Sequence, residues 1–162
     1  MIAVRLVRLI ERHSDDLTDG LLKKFQASPH TTELRKVPAH ELRNRSNEII
    51  RNLSDWLLSK SDAEVARRYR EIGALRASQN VSLAHVCWGI MLTKEHIWDF
   101  LQREGFMRRP LEIYGEMELL RLLDQFFDRA ICYCAEGYEK SRLEGMPARG
   151  HSGKSVPAAS VS

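Results

Sequence analysis

The sequence predicts an all-α fold, a single-domain bundle of about six helices, from three observations. Apolar residues recur at intervals of three and four along every long segment, and no segment shows the alternation of a half-buried strand. A chain of 162 residues, 43% of them hydrophobic, can form one domain with its own core. Helix start and stop signals divide the chain into about six helical segments. We expect a helical domain over residues 1–143 and a flexible tail over residues 144–162.

The first half of the chain predicts three helices, the first two of which could form one kinked helix. Ser14 is a start signal between them, and Pro29 ends the second because proline does not fit a helix interior. The third begins at Pro38, whose fixed φ suits the first helical turn, and runs to about Lys60. One apolar stripe on each helix supplies the predicted core: Ile2, Leu6, Leu9 and Ile10; Leu17, Leu21 and Phe25; Leu42, Ile49, Ile50, Leu53 and Leu57.

Capping signals define the other three helices. Ser61, followed three residues later by Glu64, forms a capping box that starts the fourth helix. Ser82 caps the fifth helix, which stops near Gly105, a residue suited to the left-handed conformation after a helix end. Pro110 starts the sixth and longest helix, the predicted spine of the bundle. The expected ranges are 62–79, 82–104 and 111–142.

Composition and charge exclude several classes of protein. The 25 basic and 22 acidic residues are intermixed and give a net charge of +3, so we expect no nucleic-acid partner. Arginines interrupt the first apolar stretch, which therefore does not resemble a targeting signal. The longest uncharged stretch, residues 77–93, is too short to span a bilayer, so we expect no membrane partner. The chain has only three cysteines, too few for a disulfide framework, so we expect it in the reducing cytoplasm. The Gly-, Pro- and Ser-rich tail from Glu144 cannot bury enough apolar area to become ordered.

The cysteines and histidines form no recognisable catalytic or metal-binding motif. Cys87, Cys132 and Cys134 are too few for a disulfide framework, and the last two diverge on a helix. His85 and His96 share a face of the fifth helix, opposite its main apolar stripe, but a metal would require more ligands. We predict no enzyme activity, no metal site and no cofactor.

Four polar side chains occupy inward positions of the helices. Arg76 and Gln79 continue the apolar row of the fourth helix, Lys94 lies in the stripe of the fifth, and Glu116 lies in that of the sixth. Because an isolated buried charge costs several kcal/mol, these groups must pair, reach water or meet a ligand. We hypothesise a polar network of all four that binds a ligand. The alternative is that their stems lie along apolar surface and lift the charges into solvent.

The fifth helix is apolar on more than one side. Trp88 and Leu92 lie beside its main stripe, so the helix should be covered from two directions. It is either central in its own bundle or covered in part by a second copy of the chain. In the second case these two residues are interface residues of a symmetric homodimer.

One stretch resembles a known family. Residues 70–83, Arg-Glu-Ile-Gly-Ala-Leu-Arg-Ala-Ser-Gln-Asn-Val-Ser-Leu, contain an Arg-Ala-x-Gln corner between two helices and precede a Trp-rich helix. They resemble the N-terminal domain of the RsbRD type of RsbT co-antagonist proteins. The likeness continues through residues 92–98 and 119–128 and covers the helix order from about residue 2 to 138.

The resemblance implies a non-enzymatic sensory domain of bacterial stress-response signalling, often dimeric and reminiscent of a globin without haem. Such domains pass a signal to an output module, so a regulatory protein such as a kinase or a STAS protein is the implied partner. Because this chain ends in a short tail, we expect that it acts through a separate partner, is a fragment, or has changed its role. The alternative is a globin-like sensor that binds haem or another cofactor, with His85, His96 and Cys87 as its candidate residues.

Overall fold

The computed structural model describes residues 2–104 and 110–145, and the regular structure within them is entirely helical, as predicted. Two short helices add to the six expected. A 3₁₀ helix, Pro29–Lys36, follows the second long helix, and a π-helical turn, Asp55–Ser59, follows the third. The six long helices are α1 Ile2–Arg12, α2 Ser14–Ala27, α3 Ala39–Arg51, α4 Asp62–Ser78, α5 Leu83–Arg103 and α6 Pro110–Glu144.

The predicted third helix is too long, because α3 ends at Arg51. Asn52 leaves helical geometry with φ −116° and ψ 31°, and its side-chain amide donates to the carbonyl of Glu48 at 3.1 Å. The indole N–H of Trp56 donates to the same carbonyl at 3.1 Å. These side-chain donors compete with the backbone at the helix end, and the chain continues as the π-helical turn.

The start of α4 confirms the capping box. The Ser61 hydroxyl accepts from the Glu64 N–H at 3.2 Å, and the Glu64 carboxylate accepts from the Ser61 N–H at 2.7 Å. Ser82 holds the predicted capping position of α5 but makes no side-chain capping bond there. The Lys36 ammonium first, and the Ser82 hydroxyl after it, lower the pKa of the Glu33 carboxyl on the 3₁₀ helix. The corner before α5 is closed by Asn80 in the left-handed conformation, with φ 57°.

The closest packing of the fold joins α4 to α6, which run side by side in the same direction. A Cβ on Gly73 would lie 1.9 Å from the carbonyl oxygen of Cys134, and one on Gly137 would lie 2.1 Å from that of Arg70. The two backbones therefore touch at a point that only glycine permits. The Tyr138 hydroxyl, donating to a carbonyl in the α4–α5 corner at 2.7 Å, holds the end of this pair.

The core lies between this pair and the remaining helices. Its largest fully buried side chains come from five of the long helices and from Leu53 just after α3, and the predicted stripes of α1 and α2 contribute as expected: Ile10, Leu21, Ile50, Leu53, Ile97, Leu119, Leu123 and Phe127. None of the described helices is both long and apolar enough to cross a membrane. The predicted end signal at Gly105 and the tail beyond residue 145 lie outside the described residues.

Candidate functional site

A cavity of about 80 Å³ lies between the 3₁₀ helix and helices α2 to α6. Most of its wall is apolar, and a few polar side chains converge on one part of it, which is the usual composition of a small-molecule site. The apolar lining consists of Phe25, Leu34, Leu42, Ile49, Ile72, Val86, Gly89, Ile90 and Phe127. The polar lining consists of Arg45, Ser46, Tyr69, Arg76 and Thr93.

Helices α3 and α4 form the polar wall, and we call their junction the α3–α4 seam. The helices run antiparallel, since Glu41 near the start of α3 meets Arg76 near the end of α4, while Glu48 near the end of α3 meets Arg68. Charged and amide side chains bridge the seam in two places. Any change in these bridges would alter how the two helices pack.

The first bridge, the Arg76 cluster, consists of Arg76, Glu41 and Gln79. Nη1 of Arg76 donates to Oε1 of Glu41 at 2.7 Å and to the side-chain oxygen of Gln79 at 2.8 Å. The Gln79 amide also donates to Oε2 of Glu41 at 3.1 Å. Arg76 is only 3% exposed, so its charge depends on this carboxylate for compensation. Two of the four predicted site residues therefore do lie together.

The second bridge, the Arg45 cluster, consists of Arg45, Glu48 and Arg68. Nη1 of Arg45 donates to Oε2 of Glu48 at 2.6 Å, and Nε of Arg68 donates to Oε1 of the same carboxylate at 3.1 Å. Partial burial raises the pKa of Glu48. Nε of Arg45 is itself buried and has no hydrogen-bond partner in the described part of the chain. The cluster thus keeps one unpaired donor on a residue that lines the cavity.

Tyr69 adds a second donor to this wall. Its side chain is 3% exposed, and burial raises its pKa well above the ordinary value, so the phenol stays protonated. Within residues 2–104 and 110–145, its hydroxyl makes no hydrogen bond. Ser46, also buried, presents a further hydroxyl to the cavity, while that of Thr93 is occupied by the carbonyl of Gly89 at 2.8 Å.

Lys94 lies in different surroundings from the Arg76 cluster. Its Nζ is 3.4 Å from a carboxylate oxygen of Asp124 and 3.6 Å from one of Asp128, both on α6. Its side chain is partly exposed, and it bridges α5 to α6 beside the core. The predicted alternative describes this lysine: its stem lies along apolar surface and its charge is lifted outward.

Glu116 is also separate. It is 7% exposed, burial raises its pKa, and its Oε2 is buried without a hydrogen-bond partner among the described residues. A single network of Arg76, Gln79, Lys94 and Glu116 is therefore not formed, because the first two bind Glu41 and the lysine faces α6. Helical wheels place residues on a face but do not show which neighbouring helix meets that face. Whether any of the four binds a ligand stays a prediction.

The two proposed interface residues have contacts within their own chain. Trp88 stacks on His30 of the 3₁₀ helix, with ring centroids 4.0 Å apart and planes 9° from parallel. Leu92 is half-buried and packs against the core. The 3₁₀ helix thus covers part of the second apolar side of α5. A dimer interface at these residues stays a prediction.

His96 is buried on its side of α5, at 5% exposed. Its Nε2 donates to the carbonyl of Leu17 at 2.8 Å, and α2 covers this face of α5. Gly20 makes room, since a Cβ there would lie 2.9 Å from the imidazole ring. Burial and nearby cations, Lys24 first among them, lower the pKa of His96, so the ring is neutral, and its buried Nδ1 has no partner among the described residues.

His85 is also engaged within the chain, because its Nδ1 accepts from the N–H of Glu33 at 3.2 Å. Cys87 is half-buried, and burial raises the pKa of its thiol. Among the described residues, no three His, Cys, Asp or Glu side chains converge in a way that suits a metal ion.

The residues of α3 that complete the polar wall were not among the predicted site residues. Glu41, Arg45 and Glu48 follow one another at intervals of four and three, on the same side as the predicted core residues Leu42 and Ile49. That spacing could have indicated a charged strip beside the apolar stripe. Its pairing with α4 could not be read from it, because exposed helix faces carry similar strips.

Comparison with known proteins identifies a family. The model of the RsbT co-antagonist protein rsbRD N-terminal domain family matches residues 14–151 of the chain. No protein with a curated description and no solved structure matches the chain. The match covers helices α2 to α6, and hence both clusters of the α3–α4 seam and the entire cavity lining.

Proposed function

The chain belongs to the family of RsbT co-antagonist protein rsbRD N-terminal domains, and from this membership we propose that it is a sensory module of bacterial stress-response signalling. In this role it has no catalytic activity of its own. It receives a ligand or partner signal and relays it to a cytoplasmic regulatory protein, such as a kinase or a STAS protein, through helix packing or dimerisation.

The observation that carries this proposal is the cavity at the α3–α4 seam. The seam is held by charged hydrogen bonds at the Arg76 and Arg45 clusters, and the cavity wall retains the spare donors of Arg45 and Tyr69. A ligand that accepts from these donors changes the partners available to Glu48 and shifts α3 relative to α4. A ligand shifts the equilibrium between two arrangements of the helices only as far as its affinities for the two arrangements differ. Contacts with these donors supply that difference in affinity.

The proposal is tested by affinity purification from the native cell with three forms of the full chain. Ile90→Phe fills the cavity from α5, and Leu58→Phe makes the same kind of change at a side chain that is 46% exposed and does not line the cavity. We expect the wild type to recover a kinase or STAS protein, in an amount that changes with Ile90→Phe and not with Leu58→Phe. Recovery of no such regulator, or equal recovery with all three forms, contradicts the proposal.

The haem-binding alternative has one observation in its favour, the unpartnered Nδ1 of buried His96 among the described residues. No histidine contributes to the cavity lining given above, and His96 already donates to Leu17 from its other nitrogen. We therefore expect added haem to give no stoichiometric Soret band with the purified protein. A band that disappears in His96→Ala would favour the cofactor-binding sensor.

A further inference from the structure

We propose that the cavity at the α3–α4 seam binds a small monocarboxylic acid with a short apolar chain. The carboxylate accepts from Nε of Arg45 and the hydroxyl of Tyr69, with the Ser46 hydroxyl beside them. This inference rests on the proposed function, since it gives the chemical class of the ligand that the sensory module receives.

The chemistry of the lining selects an acceptor that carries a negative charge. Two arginines, Arg45 and Arg76, are among the residues that line the cavity, and the described lining includes no Asp or Glu. The carboxylates that compensate these arginines, Glu41 and Glu48, do not line the cavity. A carboxylate has two acceptor oxygens and is the natural partner of a guanidinium N–H, with charge-assisted hydrogen bonds about twice as strong as neutral ones.

The same lining rejects two other classes of ligand. A primary amine has only donors when protonated, so it would face the donors of Arg45 and Tyr69 and leave them unpaired. A pure hydrocarbon would also leave them unpaired, and a buried donor without a partner is unfavourable. An alcohol or amide satisfies the hydrogen bonds without the charge and should bind more weakly than the acid.

The size of the cavity limits the apolar chain. A volume of about 80 Å³, at about 10–15 Å³ for each water-sized group, accommodates roughly five to eight such groups, and an acid of three to five carbons has five to seven non-hydrogen atoms. Acids of three to five carbons satisfy this limit. Phe25, Leu34 and Leu42 line both the cavity and a neighbouring surface groove of about 430 Å³, so they form the wall through which a ligand would enter. A longer chain would have to displace that wall.

The inference is tested by isothermal titration calorimetry of the full chain with butyrate, butyramide and butylamine. We expect one butyrate per chain, an affinity at least tenfold higher than that of butyramide, and no binding of butylamine. Acids from propionate to octanoate, titrated in the same way, should bind most tightly near four carbons. Equal affinities for butyrate and butyramide, or no binding of any acid in the series, would overturn the inference.

Variants locate the binding. Arg45→Met should lower the affinity for butyrate at least tenfold and leave butyramide nearly unchanged, and it should fold because Glu48 keeps its bond from Arg68. Arg43→Met changes an exposed arginine on the same helix and serves as the matched control. Tyr69→Phe, which removes only the hydroxyl, provides a second and milder test. Butyrate binding that is unaffected by both Arg45→Met and Tyr69→Phe, or lowered equally by Arg43→Met, contradicts the inference.

The outcome separates this inference from the proposed function. If no acid binds but Ile90→Phe still changes the recovery of a regulatory partner, the ligand class is wrong and the sensory role remains. If butyrate binds in the cavity but partner recovery never responds to Ile90→Phe, the ligand class is right and the proposed relay is wrong.

Discussion

Replacing Glu41 with methionine removes the carboxylate that accepts from Nη1 of Arg76 at 2.7 Å. The Arg76 side chain, 4% exposed, then keeps only Gln79 as a partner, so its charge is buried without compensation. Removing one partner of a buried ion pair costs about 3–5 kcal/mol. The Glu41 side chain is 24% exposed, and water can reach part of the vacated space. We therefore expect a loss of about 2–3 kcal/mol in the free energy of unfolding, below the fully buried range.

This loss is measurable by urea unfolding and by thermal melting. For a chain of this length, 1 kcal/mol corresponds to about 2–4 °C in Tm, so Glu41→Met should lower Tm by about 4–12 °C. The control is Arg43→Met, because Arg43 pairs with Asp19 with both side chains about half exposed. An exposed pair contributes about 0–1 kcal/mol, so this change should lower Tm by less than about 4 °C.

The double variant Glu41→Met with Arg76→Met separates charge burial from packing. With both charges replaced by apolar side chains of similar length, the unpaired charge disappears and most of the lost stability should return. A Glu41→Met variant no less stable than Arg43→Met would refute the reasoning. So would a double variant whose losses simply add, since residues in one hydrogen-bonded cluster should couple.

Three further predictions concern packing, thiol chemistry and pH. Gly73→Ala should lower the free energy of unfolding by at least about 3 kcal/mol in a denaturant titration, because the new Cβ would lie 1.9 Å from a carbonyl oxygen of α6. Gly145→Ala is the control, because its nearest contact would be at 3.4 Å, and it should change that free energy by less than about 0.5 kcal/mol. Cys132, which is exposed, should be alkylated by iodoacetamide well before Cys134, whose pKa is raised by burial to about 12; mass spectrometry showing the reverse order would contradict this. The lowered pKa of His96 means that the unfolded chain binds its proton more readily, so this residue's contribution to stability is present above the ordinary pKa of 6.5 and is lost as pH falls below it. His96→Gln should flatten that part of the curve of unfolding free energy against pH.

The helical architecture could be predicted because its signals are local. Apolar spacing fixed the class of structure, and the Ser61–Glu64 capping box marked the start of α4 at the correct residue. The end of α3 could not be predicted in this way. It depends on the indole of Trp56 reaching back eight residues to the carbonyl of Glu48, a tertiary feature that no spacing rule contains.

The candidate site could be predicted only in part, for a similar reason. The inward positions of Arg76 and Gln79 followed from one row of α4, but their partner Glu41 lies 35 residues before the arginine and joins them only in the folded chain. The contacts of Lys94 and His96 could not be predicted, because a wheel shows one helix in isolation. Packing of α6 against the lysine and of α2 against the histidine decides where each side chain lies.

The most direct test of the account is whether the state of the cavity controls binding of the regulatory partner. Once a kinase or STAS protein has been recovered, its affinity is measured for the purified wild type, Ile90→Phe and Leu58→Phe. A coupling of about 1–3 kcal/mol between cavity and partner would change the Kd by about 5-fold to 150-fold in Ile90→Phe and leave it unchanged in Leu58→Phe. A partner that binds all three forms with the same Kd would contradict the account, even if every form is folded.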